Sequence, residues 1–245
     1  MIQAILFDLG DTLINFGKVD KTAAIKQAAR ISYSYLKELG QPVGSLEWYF
    51  LHNMLEIRLR CLWSDITGKD FDSFDVMKKI GHRNGYHLTD EQWLEVNWLW
   101  YKPLAQLAFI EPDICDTFAK LKSMGLRLGI LSNTFVGKEA LDRHLSEIGI
   151  LDMFEIRVYS CYHPYRKPDK RIFTDTAAKM GLKPEQILFV GDRIETDVAG
   201  SLAAGMRCVI KKSHANEGKT MPPQVIRIET ISELPQLIEA LTKTK

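Results

Sequence analysis

Side chains that can do chemistry follow four short apolar runs of the kind that form buried strands. The first run is followed by Asp8, Gly10, Asp11 and Thr12, and the second run is followed by Ser132 and Asn133. The third run is followed by Lys167, and the fourth run is followed by Asp192 and Asp197. In an open parallel sheet, ligands bind beyond the carboxyl ends of the strands. We therefore expect these side chains to meet at one edge of a sheet.

Such a set of residues suits phosphoryl transfer. Carboxylate oxygens bind a hard cation, and this cation together with a lysine and short polar donors neutralises the charge of a phosphate group. One carboxylate can then attack phosphorus and form an aspartyl phosphate, which divides the reaction into two displacement steps.

The elements that must position these residues alternate between strand-like and helix-like patterns. Short, almost continuous apolar runs suit strands that are buried on both faces. They occupy residues 2–7, 128–131, 154–159, 187–190, 208–210 and 225–228. Amphipathic segments such as residues 170–180 lie between the later runs. The alternation predicts an α/β fold with a doubly wound parallel sheet.

About 100 residues separate the first predicted strand from the second, and they carry helical patterns. Residues 21–39 and 48–63 are predicted helices, and a capping box at residues 89–92 begins another that runs to about residue 107. We therefore predict a catalytic core formed by residues 1–15 and 111–245, interrupted by an all-helical insert at residues 16–110.

All five tryptophans lie in this insert, where they either build its core or line a substrate pocket. We favour packing, with one or two of them facing the active site. The aromatic cluster Trp48, Tyr49 and Phe50 can pack internally or pair two subunits, and here too we favour packing.

Composition excludes several classes of protein. The net charge of +1 gives no reason to expect nucleic-acid binding, and no segment approaches the length of a membrane span. The four cysteines lie too far apart for common metal or redox motifs. We expect a cytoplasmic protein with reduced, structural cysteines.

Four segments of the chain resemble, in order, the four motifs of the haloacid dehalogenase-like (HAD) hydrolase superfamily. They are residues 7–13, 131–133, 166–169 and 191–197. The position of the insert resembles the helical-cap (C1) subclass. The resemblance implies a Rossmann-like core and a phosphatase that acts on a small phosphorylated metabolite with Mg²⁺ as its cofactor.

The resemblance also implies residue roles. Asp8 is the expected nucleophile, and Lys167 is expected to orient it and to neutralise the phosphate. The other expected phosphate-binding residues are Thr12, Ser132 and Asn133. The expected metal ligands are Asp8, the backbone carbonyl of Gly10, Asp192 and Asp197.

The first motif departs from the family pattern. The family places an aspartate two residues after the nucleophile as general acid and base, but here Gly10 occupies that position and Asp11 follows. Asp11 or a residue of the insert is a candidate replacement.

Two alternatives to a phosphatase remain open. One is a binding or regulatory protein that retains phosphate and metal recognition with little turnover. The other is a haloacid dehalogenase, whose halide leaves without protonation. The expected partners are a small phosphorylated molecule and, at most, a second subunit of a homodimer. Neither nucleic acid nor a membrane is expected.

Overall fold

Six parallel strands form the central sheet in the computed structural model, which describes residues 1–17 and 20–243. The sheet has the order β3-β2-β1-β4-β5-β6, and the strands are β1 (Ala4–Phe7), β2 (Arg127–Ser132), β3 (Ile156–Tyr159), β4 (Ile187–Gly191), β5 (Arg207–Lys211) and β6 (Ile226–Ile228). The doubly wound fold predicted from the sequence is confirmed. Since β1 pairs with both β2 and β4, the order of the sheet reverses beside β1. That reversal is where such sheets bind ligands.

Nine α-helices are found in the described part of the chain. They are α1 (Lys21–Glu38), α2 (Leu46–Thr67), α3 (Ser73–Arg83), α4 (Asp90–Ala105), α5 (Ile114–Ser123), α6 (Lys138–Glu147), α7 (Lys170–Lys179), α8 (Ala199–Ala203) and α9 (Leu234–Lys243). The predicted capping box opens α4, with Thr89 and Gln92 satisfying each other's backbone N–H groups. None of the described helices is long and apolar enough to cross a bilayer.

Helix α3 was not predicted from the sequence. It is short, and Gly81 in its last turn lowers helix propensity. The structure explains the glycine, because a Cβ atom there would lie 2.2 Å from the ring of Trp93. Tertiary packing thus selects a residue that local propensity disfavours.

Helices α1 to α4 lie between β1 and β2, within the residues where the helical insert was predicted, and α5 follows them before β2. They share a hydrophobic cluster that includes Tyr49, Met77 and Trp93 and is separate from the two clusters that flank the sheet. Trp98, further along α4, joins a sheet cluster instead. The domain boundaries at residues 15/16 and 110/111 stay a prediction, and residues 18 and 19 of the insert lie outside the described residues.

The prediction that the tryptophans pack internally holds for only part of the set. Trp93 and Trp98 are buried, whereas Trp48 and Trp63 expose 57% and 67% of their surfaces. Tyr49 is buried beside exposed Trp48, so the expected packing of residues 48–50 is wrong for Trp48. The cause is the orientation of α2, which turns one apolar face to solvent.

Two linkers join the insert to the sheet, and they pair with each other at an antiparallel bridge between Asn15 and Phe109. Buried Lys211, at the end of β5, donates to the Thr12 carbonyl at 2.8 Å and to Asn15 Oδ1 at 3.0 Å. Its Nζ also lies 2.7 Å from Glu111 Oε1 on the returning linker. One lysine therefore fixes both linkers to the edge of the sheet at which the candidate residues lie.

The four cysteines are free thiols, as predicted. Cys208 is buried in β5, and the other three are partly exposed. Burial raises the pKa of the Cys208 thiol to about 12, so that this thiol stays protonated and packs as a small apolar residue.

Candidate active site

Three carboxylates meet at the carboxyl edge of the sheet. Asp8 follows β1 directly, and its backbone N–H donates to the carbonyl of Val190 at 2.8 Å, which continues the ladder between β1 and β4. Asp192 follows β4, and Asp197 returns from the turn beyond it. One oxygen from each of these aspartates lies within 4.8 Å of the other two, and all three residues are buried. The convergence expected from the sequence is therefore present in the structure.

Lys167 lies between two of these carboxylates. Its Nζ is 2.8 Å from Asp8 Oδ1 and 2.7 Å from Asp197 Oδ1, and its side chain is only 2% exposed. Burial alone would lower the pKa of this ammonium group, but the two carboxylates outweigh burial and raise the pKa. The lysine therefore presents a fixed positive charge beside Asp8.

The side chain of Asn133 holds the backbone of Lys167 at two points. The Lys167 N–H donates to Asn133 Oδ1, and Asn133 Nδ2 donates to the Lys167 carbonyl, both at 2.8 Å. Both ends of the amide are thus engaged. The phosphate-binding role expected for Asn133 stays a prediction, and the structure shows it positioning Lys167.

Asp197 organises the turn after β4. Its Oδ2 accepts hydrogen bonds from the backbone N–H groups of Asp192 and Arg193, each at 3.0 Å, while its Oδ1 faces Lys167. The close approach of the Asp197 carboxylate to the end of β4 requires glycine at position 191, since a Cβ atom there would lie 2.4 Å from Asp197 Oδ2. The predicted role of Asp197 as a metal ligand stays a prediction.

Two residues that support Asp192 were not identified from the sequence. Ser213 Oγ donates to Asp192 Oδ2 at 2.9 Å, and Asn216 Nδ2 donates to the Asp192 carbonyl at 2.8 Å. Both residues lie in the loop that follows β5. The rule that active-site residues follow parallel strands would have found them if it had been applied to this strand as well.

The carboxylate cluster fits a divalent cation. Asp192 Oδ1 is buried and accepts no hydrogen bond from any described residue, although buried oxygens normally have a partner. When all three carboxylates are ionised, they and Lys167 together carry a net charge of −2. An all-oxygen donor set of this charge suits a hard divalent cation.

The crowding of carboxylates shifts their proton affinities. Burial, followed by the charges of Asp8 and Asp197, raises the pKa of Asp192 to about 7. Burial also raises the pKa of Asp8, although Lys167 opposes this shift. Keeping both aspartates ionised therefore costs folding free energy, and a bound cation would lower this cost.

The turn after β1 places Gly10, Asp11 and Thr12 beside the cluster. Asp11 adopts a left-handed backbone conformation with φ of 55°, and its Oδ1 accepts a long, 3.5 Å hydrogen bond from the N–H of Phe16. Thr12 is buried, and its Oγ1 has no hydrogen-bond partner among the described residues. The phosphate-binding role of Thr12 stays a prediction.

Ser132 is the last residue of β2 and is 4% exposed. Because β2 is the neighbour of β1, Ser132 lies at the same sheet edge as Asp8. Its predicted contact with the phosphoryl group stays a prediction.

The insert reaches the core beside Lys167 through a group of polar contacts that the sequence did not predict. Arg166 Nη1 lies 3.0 Å from Asp70 Oδ1 and 2.8 Å from Ser64 Oγ, both in the insert. Ser160, just after β3, donates to the other oxygen of Asp70. The insert is thus bonded to the residue that precedes the active-site lysine.

Replacing Asp192 with asparagine is expected to stabilise the protein in chelator at pH 8 and to remove its stabilisation by Mg²⁺. The pKa of Asp192 is about 7 in the folded protein, against about 3.9 in an unfolded chain. The folded state therefore retains a proton that the unfolded state loses, and the free energy of unfolding falls as the pH rises from about 4 through 7.

Asp192→Asn removes this decrease in the free energy of unfolding, which amounts to about 2–4 kcal/mol at pH 8. Urea unfolding at pH 5 and pH 8, with EDTA and with Mg²⁺, measures the effect. Equal stabilities of wild type and variant at pH 8 in EDTA would show that Asp192 is not strained by its neighbours. Mg²⁺ stabilisation that survived in the variant would show that Asp192 is not a ligand.

Comparisons with known proteins agree with this geometry. The family model of haloacid dehalogenase-like hydrolases matches residues 2–205. A glyceraldehyde 3-phosphate phosphatase from Methanothermobacter thermautotrophicus is 28% identical over 246 residues, which cover 98% of this chain and 100% of the relative.

Two solved structures share the fold across almost the whole chain. A HAD phosphatase from Thermococcus onnurineus has a TM-score of 0.61 and 23% identity, covering 97% of this chain and 98% of its own. A 2-haloacid dehalogenase from Pseudomonas syringae has a TM-score of 0.67 and 22% identity, covering 98% and 100%. Phosphatases and dehalogenases therefore both adopt this architecture, and the fold alone does not choose between them.

Proposed function

Because this chain belongs to the haloacid dehalogenase-like hydrolase family, we propose that it is a Mg²⁺-dependent phosphatase acting through an aspartyl phosphate at Asp8. The substrate is a small phosphorylated metabolite. The observation that carries the proposal is the buried group of Asp8, Asp192 and Asp197 around Lys167, with one carboxylate oxygen left without a donor. The phosphatase relative of 28% identity, which aligns over its full length, supports the same reaction.

In the proposed reaction Asp8 attacks the phosphorus atom while the bond from phosphorus to the ester oxygen breaks. Lys167 holds Asp8 Oδ1 at 2.8 Å, so that the other oxygen is left to attack. The hydroxyls of Thr12 and Ser132 bind the phosphoryl oxygens, and water then cleaves the acyl phosphate. Mg²⁺, held by Asp8, Asp192, Asp197 and the Gly10 carbonyl, would supply charge neutralisation of the phosphate.

Proton transfer is the weak point of this site. The leaving oxygen needs a proton when its alcohol is a poor acid, and position 10 offers no carboxylate. Asp11 follows that position in the chain, and its Oδ1 accepts a long hydrogen bond from the Phe16 N–H. We therefore expect the enzyme to favour substrates whose leaving groups need little protonation.

The helical insert, residues 16–110, is proposed to act as a cap over the core. Asp70 and Ser64 reach Arg166, which precedes Lys167 in the chain. Closure of a cap excludes water during phosphoryl transfer, and the cap selects the leaving group.

A second candidate function is phosphate-ester binding with little turnover. The glycine at position 10 favours it, because the residue that would complete both displacement steps is absent. Dehalogenation is less well supported, since displacement of halide does not require a metal and the carboxylate cluster fits one.

Hydrolysis of 4-nitrophenyl phosphate, with Mg²⁺ and with EDTA, tests the proposal. Its phenolic leaving group needs little protonation, so we expect release that depends on Mg²⁺ and changes less than about 10-fold in Asp11→Asn. A larger loss in Asp11→Asn would assign acid–base catalysis to that residue. Mg²⁺-dependent binding of the ester without release would favour the binding function, and chloride release from a 2-haloacid in EDTA would favour dehalogenation.

A further inference from the structure

Helix α2 exposes an apolar stripe along almost its whole length. The stripe is formed by seven large side chains that are between 53% and 79% exposed, namely Trp48, Leu51, Leu55, Leu59, Leu62, Trp63 and Ile66. The opposite face of the helix packs inward through buried Tyr49, Asn53 and Ser64. The helix is therefore apolar on the side where a surface helix is normally polar.

The spacing of the stripe keeps it on one face. Residues 48, 55 and 62 recur every seven positions, as do 59 and 66, so that the side chains lie within a sector about 120° wide. The helix is 22 residues long, which corresponds to about 33 Å. The seven side chains expose roughly 900 Å² together, which exceeds the largest apolar patch of a typical monomer. Such a patch marks an interface.

We propose that this stripe is the dimer interface of the protein and that its occupant is the same stripe of a second copy. Specific interfaces bury about 800 Å² per partner, an area that the exposed surface of the seven side chains is large enough to supply. A two-fold interface brings the same surface of both copies together, and an uncharged stripe is complementary to itself. No charged residue belongs to the stripe, and exposed Glu47, Arg58 and Asp65 lie on the helix outside it.

The charge of α2 argues against a membrane as the occupant. Helices that lie on anionic membranes carry lysine and arginine on their polar face. Residues 46–67 contain the acids Glu47, Glu56 and Asp65 but only the two bases Arg58 and Arg60, which gives a net charge of −1. Lipid headgroups would not be attracted to this helix.

The stripe also defines a register. Its centre lies near residue 57. A two-fold axis perpendicular to the helices at this point makes them antiparallel and brings Leu55 of one copy against Leu59 of the other. Ser64, which contacts Arg166 beside the active-site lysine, lies on the same helix. Pairing through α2 would join the two inserts.

The test is the mass of the protein by light scattering and sedimentation, from about 1 to about 100 µM. We expect a dimer for the wild type, and monomers for Leu55→Glu and for Leu59→Lys because each buries a charge against leucine. The matched control is Leu94→Glu, which changes a 40% exposed leucine of α4 outside the stripe and should remain dimeric. Circular dichroism checks that every variant is folded.

The double variant Leu55→Glu, Leu59→Lys tests the register and guards against misfolding as the cause of dissociation. In the antiparallel pair each glutamate faces a lysine, so the dimer should re-form. A monomeric wild type, or single variants that stay dimeric, would overturn the interface. A folded double variant that stays monomeric would overturn the antiparallel register. Binding of a monomeric wild type to anionic vesicles would show that the stripe binds a lipid surface instead of a second copy.

Discussion

Turnover of a phosphate ester will fall by about 10⁴-fold or more when Asp8 is replaced with asparagine. The amide has nearly the same shape as the carboxylate, but it is a poor nucleophile and cannot form the acyl phosphate. Phosphate release under saturating Mg²⁺ measures the loss.

The fold should survive this substitution. Lys167 keeps Asp197 at 2.7 Å as a counterion, and the variant removes a buried carboxylate whose pKa is already raised. The matched control is Asp116→Asn on the exposed surface of α5, which should leave activity unchanged. Wild-type activity in the Asp8 variant would remove Asp8 from the mechanism, whereas loss of the near-ultraviolet dichroism of the folded state would mean that the variant tests folding instead.

The substitution Gly10→Asp should increase turnover of alkyl phosphates by about 10²-fold or more, which lies within the usual contribution of general acid–base catalysis. The site has room for it, because a Cβ atom on Gly10 would meet no atom within 4 Å and the backbone there is not left-handed. The new carboxyl group would protonate the leaving alkoxide and later activate the attacking water.

Leaving-group dependence separates this gain from a general improvement. The rate of the first step, in which 4-nitrophenyl phosphate phosphorylates Asp8 and releases nitrophenol, should change far less than the same step with an alkyl phosphate, since its leaving group needs little protonation. Gly10→Asn is the matched control, because asparagine has nearly the same size but cannot act as a general acid or base. An equal gain for aspartate and asparagine, or no gain for either with a folded protein, would contradict the account of the missing acid.

Much of the catalytic centre could be predicted because strand patterns are local. Buried strands have continuous apolar runs, and residues that follow parallel strands must share one edge of the sheet. Asp8, Lys167, Asp192 and Asp197 therefore come together as predicted. The sequence did not predict helix α3, because its glycine is explained only by contact with Trp93. It also did not identify the supporting residues Ser213 and Asn216.

The orientation of helices could not be predicted in the same way. Helix α2 is apolar on two sides, so its sequence does not tell which side faces the bundle. Trp48 was expected to pack internally and is instead exposed, while its neighbour Tyr49 is buried. The contact of Asp70 with Arg166 joins residues 96 positions apart and has no local signal. Such features depend on how the elements are arranged in space.

Trapping the phosphorylated enzyme is the most direct test of the central claim that Asp8 is a nucleophile toward phosphorus. Without a carboxylate at position 10, hydrolysis of the acyl phosphate should be slow enough for it to accumulate. Incubation with acetyl phosphate carrying a radioactive phosphoryl group, followed by acid quench and peptide mapping, should find a Mg²⁺-dependent, hydroxylamine-sensitive label on Asp8 and none in Asp8→Asn. A label on another residue, or phosphate release with no labelled enzyme under single-turnover conditions, would contradict the account.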